Sequence, residues 1–233
     1  MMPLISIFAP AIKTVFWQEA HRILSASNIG FEIVYAGFKS PSFILPQNFK
    51  FILTDATPAQ AAHTAFSQTV GKYVIFMPDD MVPEHDFLDL MLATMLKHDQ
   101  EKTVVTPYYS KKQIDTRKCH FPEGPPHGCG IYPVVPMLCR KTFMELGGID
   151  RRFVNIGFGV DVAFRLCALG GTIVRCHTWV CEMPGTKYRR LCKRSKEDGI
   201  LLDYLWPKCG LTRDYYDLEQ VRKGRADDII SYL

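Results

Sequence analysis

One stretch of the sequence, GKYVIFMPDDMVP at 71–83, constrains the fold more than any other. Its apolar run at 73–77 predicts a buried strand, and Asp79 and Asp80 follow at the carboxyl end of that strand before Pro83 leads into a helix. In open α/β sheets, ligands bind at this edge. Two adjacent carboxylates repel each other unless a positive charge lies between them, and a hard divalent cation that also holds phosphate oxygens is the usual candidate. The alternative is an acidic turn with a helix cap.

Strand and helix patterns alternate along the first hundred residues. Short apolar runs predict strands that precede the one at 73–77, at 4–8, 31–35 and 49–53. Apolar residues at helical spacing predict a helix after Pro83 and two earlier ones, at 14–27 and 57–71. The helix at 57–71 begins with a capping box made by Thr57, Pro58 and Gln60. This alternation predicts a mostly parallel, layered sheet and a nucleotide-binding type of half-domain.

The pattern changes after residue 103. Pro and Gly crowd the segment CHFPEGPPHGCGIYP at 119–133, which predicts a loop of functional interest. Around it, the sequence predicts strands at 103–107, 134–138 and 172–176 and helices at 141–146 and in GFGVDVAFRLCALGG. Gly170 and Gly171 end the second of these helices. The tail from Trp206 onward mixes charged and aromatic residues, and it predicts one or two surface helices.

Composition limits the class of protein. With 233 residues, of which 47% are hydrophobic and 22% charged, the chain is long enough for one large α/β domain. A net charge of +4 does not demand a polyanion, so no nucleic-acid partner is expected. The opening carries no basic leader, no segment has the length of a membrane span, and the eight cysteines form no CxxC pair. These features predict a cytoplasmic chain with reduced thiols.

A basic segment, KYRRLCKRSK at 187–196, stands out near the end of the sequence. It predicts contact with phosphates or peripheral contact with an anionic membrane surface, and a solvated helix face is the alternative.

Taken in order, these motifs resemble the family 2 glycosyltransferases over roughly residues 4–182. The residues that carry the resemblance are the strand ending in Pro10, the GKY strand with its aspartates, and GGID followed by GFGVDVAFRL and LGG. The resemblance implies a GT-A fold, an α/β class with a single Rossmann-like layered domain whose mostly parallel mixed sheet is flanked by helices. It implies a donor half at 1–100, an acceptor half at 101–205 and a tail at 206–233.

The resemblance also implies an activity. Relatives move a sugar from a nucleoside-diphosphate sugar to a hydroxyl of a glycan or another acceptor, with inversion and the assistance of Mn²⁺ or Mg²⁺. GKYVIFMPDD corresponds to the strand that carries their DxD motif, in which Pro78 here replaces the first Asp. Asp80 is then the first choice as metal ligand, with Asp79 beside it and His177 as a further candidate. The loss of one carboxylate weakens a hard-cation site, so the metal could arrive with the nucleotide.

Further donor-binding residues follow from the same resemblance. Pro10 and Gly37 lie where the first two strands end, but the turn YAGFKSP lacks the carboxylate that many relatives carry there. Asp55, after the third strand, is a candidate for the missing contact, and a simple turn Asp is the alternative. Gln60 completes the predicted donor set with Asp79 and Asp80.

The predicted catalytic base is Asp161. GFGVDVAFRL resembles a segment that ends in a Glu-Asp pair in relatives, with Val160 here in place of the Glu. In inverting relatives this Asp removes the proton from the acceptor hydroxyl. A helix N-cap is the alternative for Asp161. The prediction requires that the segments around positions 80 and 161 face one cleft.

The loop at 119–133 is predicted to border the acceptor, with Tyr132, Phe121 and Trp179 as stacking surfaces for a sugar. Zinc is a weaker alternative there, because the spacing of its donors matches no common zinc pattern; these donors are Cys119, His120, His127 and Cys129. Basic residues of the segment at 187–196 are group candidates for neutralising the departing diphosphate, namely Arg189, Arg190, Lys193 and Arg194.

Other functions are kept open. A nucleotidyltransferase would share the layered sheet and carboxylate-held metal, but no Gly-rich phosphate loop follows the first strand. A catalytically degenerate sugar- or nucleotide-binding module is consistent with Pro78 and Val160 at acidic positions. NAD-dependent chemistry is disfavoured because GxGxxG is absent after the first strand.

Overall fold

The computed structural model describes residues 2–110, 128–183, 189–211 and 215–227, and at 189–194 it describes the backbone alone. The strands are β1 (Ile5–Pro10), β2 (Phe31–Gly37), β3 (Phe49–Leu53), β4 (Tyr73–Phe76), β5 (Met81–Pro83), β6 (Thr103–Ser110), β7 (Cys129–Ile131), β8 (Met137–Cys139), β9 (Thr172–Glu182) and β10 (Tyr215–Asp217). The helices are α1 (Trp17–Leu24), α2 (Pro58–Ser67), α3 (Phe87–Leu96), α4 (Arg140–Glu145), α5 (Phe158–Ala168), α6 (Arg189–Leu205) and α7 (Leu218–Arg222). A single 3₁₀ turn at Thr14–Phe16 precedes α1.

Eight strands form one mixed sheet in the order β3-β2-β1-β4-β8-β6-β9-β5. The first four strands in this order are parallel, and β6 also runs parallel to β9. Strand β8 is antiparallel to both of its neighbours, β4 and β6, and β5 is antiparallel to β9. The carboxyl ends of β1, β2 and β4 therefore meet at one edge, the edge to which the sequence assigns Asp79 and Asp80.

Helices cover the sheet on both faces because its central strands are apolar on both sides. In β1, Phe8 packs with α2, α4 and α5, whereas Ile5 and Ile7 pack with α1 and α3. All of these positions are buried, as expected of a parallel strand between two helical layers. The predicted mostly parallel mixed sheet flanked by helices is what the chain forms.

The structure differs from the prediction where a strand is short or its partner strand is distant in sequence. Strands β5, β7 and β10 have three residues each, and their partners β9, β10 and β7 are far away in sequence. A run of three residues carries too little periodicity to predict a strand.

The described part of the tail after Trp206 contains one of the one or two predicted helices, α7, but the tail is anchored in the core and does not lie only on the surface. Trp206, Tyr216 and Val221 are each at most 2% exposed and belong to the core on the α5 face of the sheet. Among the described helices none is both long enough and apolar enough to cross a bilayer. The predicted basic segment overlaps the start of α6, but its basic side chains up to residue 194 lie outside the described residues.

Candidate functional site

A cavity of about 360 Å³ opens at the carboxyl ends of β1, β2 and β4. One side, here called the strand-end wall, is formed by residues 10–13, 36–38 and 78–80. The opposite side, the helix wall, is formed by residues 155–160 at the start of α5. The start of α2 and residues 132–134 complete the lining. The segments predicted to meet, around positions 80 and 161, thus border one concave surface.

Asp79 holds the strand-end wall in place. Its Oδ2 atom accepts hydrogen bonds from the backbone N–H of Ile12 at 2.5 Å, from that of Lys13, and from Trp17 Nε1 at 3.2 Å. Burial raises the pKa of the Asp79 carboxyl, and the N–H bonds from Lys13 and Ile12 oppose this. Because three donors converge on one oxygen, Asp79 fixes the loop after β1, and this commits much of its capacity to bind anything else.

Asp80 forms an ion pair with the Lys13 ammonium, and the two side chains are 13% and 22% exposed. Both line the cavity. The repulsion expected between two adjacent carboxylates is therefore relieved by a side chain of the same protein. Sequence reasoning missed Lys13, although a lysine three residues beyond a strand-ending proline, at the ligand-binding edge, was available as a signal.

Close backbone contact shapes the same wall. Gly37 ends β2 against the loop after β1, and a Cβ atom at Gly37 would lie 1.9 Å from the Ala11 carbonyl oxygen. No side chain fits there, so the two loops can approach only through a glycine. Pro10 and Gly37 both line the cavity, and their donor contacts stay a prediction.

Two other members of that donor set lie elsewhere. Asp55 and Gln60 are exposed, and neither lines the cavity. Gln60 Oε1 instead accepts the backbone N–H of Thr57 at 3.2 Å, which completes its half of the capping box. The side chains that α2 and the segment before it present to the cavity are apolar: Ala56, Pro58 and Ala61. The structure thus places Asp55 and Gln60 outside the cavity, and their donor contacts stay a prediction.

The helix wall is held by Asp198 of α6, which is 2% exposed. Its carboxylate accepts three backbone N–H groups, from Val154 at 2.9 Å, Asn155 at 2.6 Å and Ile156 at 2.8 Å. Gly157 then adopts a left-handed φ of +86°, which favours glycine, and α5 begins. Sequence reasoning also missed Asp198, because nothing near it in sequence indicates a partner more than forty residues away.

Asp161 does not face the cavity. Its side chain is fully buried, and its carboxylate accepts Trp206 Nε1 at 2.9 Å and Arg165 Nε at 3.0 Å, with Arg225 at 3.4 Å. On the first turn of α5, the residues that line the cavity are Phe158, Gly159 and Val160. The expectation that the Asp161 carboxylate lies at the site is thus corrected: helix geometry turns residue 161 about 100° away from residue 160, into the core.

A buried ionic cluster surrounds Asp161. Arg225 also binds Asp150 at 2.7 Å, and Arg152 bridges Asp150 and Asp227 at 2.7 and 2.6 Å. Burial opposes ionisation of Asp150, but hydrogen bonds from Arg152 and Arg225 outweigh it and lower its pKa to about 2. This cluster joins α5 to the segment after α7.

Of the aromatic and histidine candidates that the structure describes, one lines the cavity and two lie elsewhere. Tyr132 lines the cavity, and burial raises its pKa. Trp179 instead stacks on Tyr108 with ring centroids 4.9 Å apart, and the exposed His177 lies 6.0 Å from the same ring; neither lines the cavity. The roles of Trp179 as acceptor surface and His177 as metal ligand stay predictions, for residues that lie outside this cavity. Phe121, Cys119, His120 and His127 lie outside the described residues.

The donor set does not fit a divalent ion held by side chains. Pro78 offers no oxygen ligand from its side chain, Asp79 is committed to backbone N–H groups, and Asp80 is paired with Lys13. Across the part of the chain that the structure describes, no three His, Cys, Asp or Glu side chains are grouped as a metal would require. Asp80 is the more available of the two carboxylates to a hard cation, because Oδ2 of Asp79 already accepts three N–H donors.

Comparison with solved structures identifies the fold. The crystal structure of S. aureus TarS 1-349 superposes with a TM-score of 0.55 at 12% identity, covering 77% of this chain and 60% of that chain. The TarS complex with UDP-GlcNAc gives 0.55 at 12%, covering 80% and 60%. GalNAc-T7 with UDP, GalNAc and Mn²⁺ gives 0.61 at 11%, covering 89% and 48%.

The chain therefore has the GT-A fold of these glycosyltransferases, and the predicted fold class is confirmed. It spans 48–60% of the length of those structures. No family model and no curated protein sequence matches the chain. Membership of family 2 stays a prediction.

Proposed function

We propose that the chain transfers a glycosyl group from a nucleoside-diphosphate sugar to an acceptor hydroxyl. The observation that carries the proposal is the cavity, which combines a Lys13–Asp80 pair with apolar walls at the ligand-binding edge of a GT-A sheet. Its volume of about 360 Å³ lies within the range of small-molecule sites. The TarS and GalNAc-T7 structures, which hold UDP or UDP-GlcNAc, support a nucleotide-sugar donor.

In this proposal, the strand-end wall receives the nucleotide. Gly37 lets the loop after β1 pack closely against the end of β2, and the diphosphate lies against Lys13, which that loop carries. The sugar extends toward the helix wall and Tyr132, whose ring offers an apolar face. Placement of donor and acceptor in one cavity would supply much of the rate enhancement. Membrane contact through the segment at 187–196 stays a prediction.

Inversion by an Asp161 base is not part of the proposal. A general base must lie within hydrogen-bond reach of the proton that it removes, and the Asp161 carboxylate is fully buried and bonded to Trp206 and Arg165. The same observation, with Val160 on the wall, favours a second candidate function: a module that binds a nucleotide sugar without turning it over.

A binding and turnover experiment tests the proposal. The full chain is titrated with UDP, GDP, CDP and ADP by calorimetry, then incubated with the matching nucleotide sugars and a panel of hydroxyl acceptors, with and without Mn²⁺. Release of nucleoside diphosphate that depends on an acceptor is expected. Release of pyrophosphate would indicate a nucleotidyltransferase, and binding without turnover would indicate the binding module.

Two variants locate the activity. Asp80→Asn removes the negative member of the cavity pair, and we expect turnover to fall at least about tenfold, because Asp80 orients the Lys13 ammonium that would stabilise the negative charge of the departing diphosphate. Lys141→Met is the matched control, since Lys141 is 61% exposed and paired with Glu101 on the surface. Equal loss in both variants, or in neither, would contradict the assignment of the cavity.

A further inference from the structure

The two aspartates after β4 both engage one short loop. Asp79 accepts hydrogen bonds from the backbone N–H groups of Ile12 and Lys13. Asp80 accepts a hydrogen bond from the side-chain ammonium of Lys13. Both carboxylates thus act on Lys13, one fixing its backbone and the other its side chain. The two aspartates that suggested a metal site therefore both form hydrogen bonds with one lysine.

We propose that Lys13 binds the diphosphate of the donor directly, so that nucleotide binding does not require a divalent cation. The inference rests on the proposed function, because it names the group that would hold the donor's phosphates in that cavity. Among the described residues that line the cavity, Lys13 is the one with a cationic side chain. A diphosphate placed there without it would meet Asp80 and no compensating charge.

The chemistry of an ammonium suits this role. It has three donor hydrogens, so it can keep one bond to Asp80 and offer the others to phosphate oxygens. Lysine binds phosphate as a point charge, and its flexible stem allows the short movement that such a rearrangement needs. The Lys13 side chain is 22% exposed, so a ligand in the cavity can reach it. Asp80 is then a positioning residue that orients the ammonium.

A metal and Lys13 would compete for the same carboxylate. A divalent ion bound to Asp80 would lie close to the ammonium that now contacts Oδ2, and two cations at one carboxylate repel each other. Removal of the lysine should therefore turn a metal-independent site into one that a metal assists. This change in the metal dependence of nucleotide binding is specific to the proposal, since removal of a purely structural lysine would not produce it.

The test is calorimetric titration of the full chain with UDP, GDP, CDP and ADP, in EDTA and in Mn²⁺, for four proteins: wild type, Lys13→Met, Lys13→Arg and Lys141→Met. We expect the tightest of these nucleotides to bind wild type within about twofold with or without Mn²⁺. Lys13→Met should bind at least about tenfold more weakly in EDTA and regain affinity in Mn²⁺. Lys13→Arg should retain most of the affinity, and Lys141→Met should behave as wild type.

Two results would overturn the inference and leave the proposed function standing. These are wild-type binding that needs Mn²⁺, and Lys13→Met binding in EDTA as tightly as wild type. A wild type that binds none of the four nucleotides under either condition would instead overturn the proposed function and the inference together. Thermal unfolding of each variant shows whether Lys13→Met is folded. If Lys13→Met does not fold, Lys13→Arg, which keeps the charge, still tests the inference.

Discussion

The strand-end wall and the helix wall of the cavity are built by the same device, a buried aspartate that collects backbone N–H groups. Asp79 holds residues 12 and 13, and Asp198 holds residues 154–156. The walls differ in where their support comes from. Asp79 follows β4 at the sheet edge itself, whereas the helix wall depends on α6 and on the segment after it. The comparison shows that most carboxylates near this cavity are structural, and that Asp80 is the exception.

Among the substitutions that test this comparison, Asp161→Asn should lower the free energy of unfolding the most. The substitution leaves Arg165 and Arg225 buried beside a neutral partner, and loss of one member of a buried pair typically lowers the free energy of unfolding by about 3–5 kcal/mol. Urea denaturation measures the change. Asp80→Asn is the control on the strand-end wall, with an expected change below about 1 kcal/mol for a partly exposed pair. An Asp161→Asn protein with full stability but no turnover would restore Asp161 to a catalytic role.

Asp198→Asn tests the support of the helix wall alone. An amide keeps the shape but replaces charge-assisted bonds to three N–H groups, and we expect the free energy of unfolding to fall by about 2–3 kcal/mol. Asp203→Asn on the same helix is the matched control, because Asp203 is exposed. Urea denaturation of the two variants should separate them clearly. Equal stability would mean that Asp198 does not hold the wall.

Gly37→Ala tests the strand-end wall by crowding it. The new methyl group would overlap the Ala11 carbonyl oxygen, so the loop after β1 must move, at a cost of about 1–3 kcal/mol for overpacking. Nucleotide affinity should fall as well, since Lys13 is carried by that loop. At Gly30 the nearest atom to an added Cβ would be 3.9 Å away, so Gly30→Ala is the control. Unchanged nucleotide affinity in Gly37→Ala would show that the site tolerates movement of the loop.

The pH dependence of stability sharpens the comparison further. The pKa of Asp150 falls from 3.8 to about 2 on folding, so its ionised form stabilises the native state. That stabilisation is complete above about pH 4 and is lost as pH falls to about 2, and it amounts to about 2 kcal/mol. Between pH 5 and pH 2 the wild type should therefore lose about 2 kcal/mol more than Asp150→Asn in urea denaturation. Parallel curves for the two proteins would contradict this.

Most strands and helices of the first hundred residues could be predicted because their signals are local. The run at 73–77 predicted β4, the capping box at 57–60 predicted where α2 begins, and β3 has the predicted bounds, Phe49–Leu53. The three-residue strands and the buried tail could not be predicted, since both depend on partners more than forty residues away. Local periodicity carries no information about such partners.

For the candidate site, the sequence predicted the location at the sheet edge better than the direction and pairing of the individual side chains. It placed ligands at the edge that carries Asp79, Asp80, Pro10 and Gly37, all of which line the cavity. It could not say which way Asp161 points, because adjacent residues on a helix differ by about 100° and only packing decides which one faces the core. Nor could it pair Asp80 with Lys13, which is 67 residues away.

The bonds that Arg225 and Trp206 make to Asp161 have a consequence for the order in which the protein is assembled during synthesis. The parallel strands β1 to β4 have all their neighbours but β8 within the first 76 residues, so they can associate while translation continues. At the start of α5, in contrast, Asp161 can pair early with Arg165 but lacks Trp206 and Arg225 until residue 225 has left the ribosome. We expect the nascent chain to complete the helix wall of the cavity last, after its sheet.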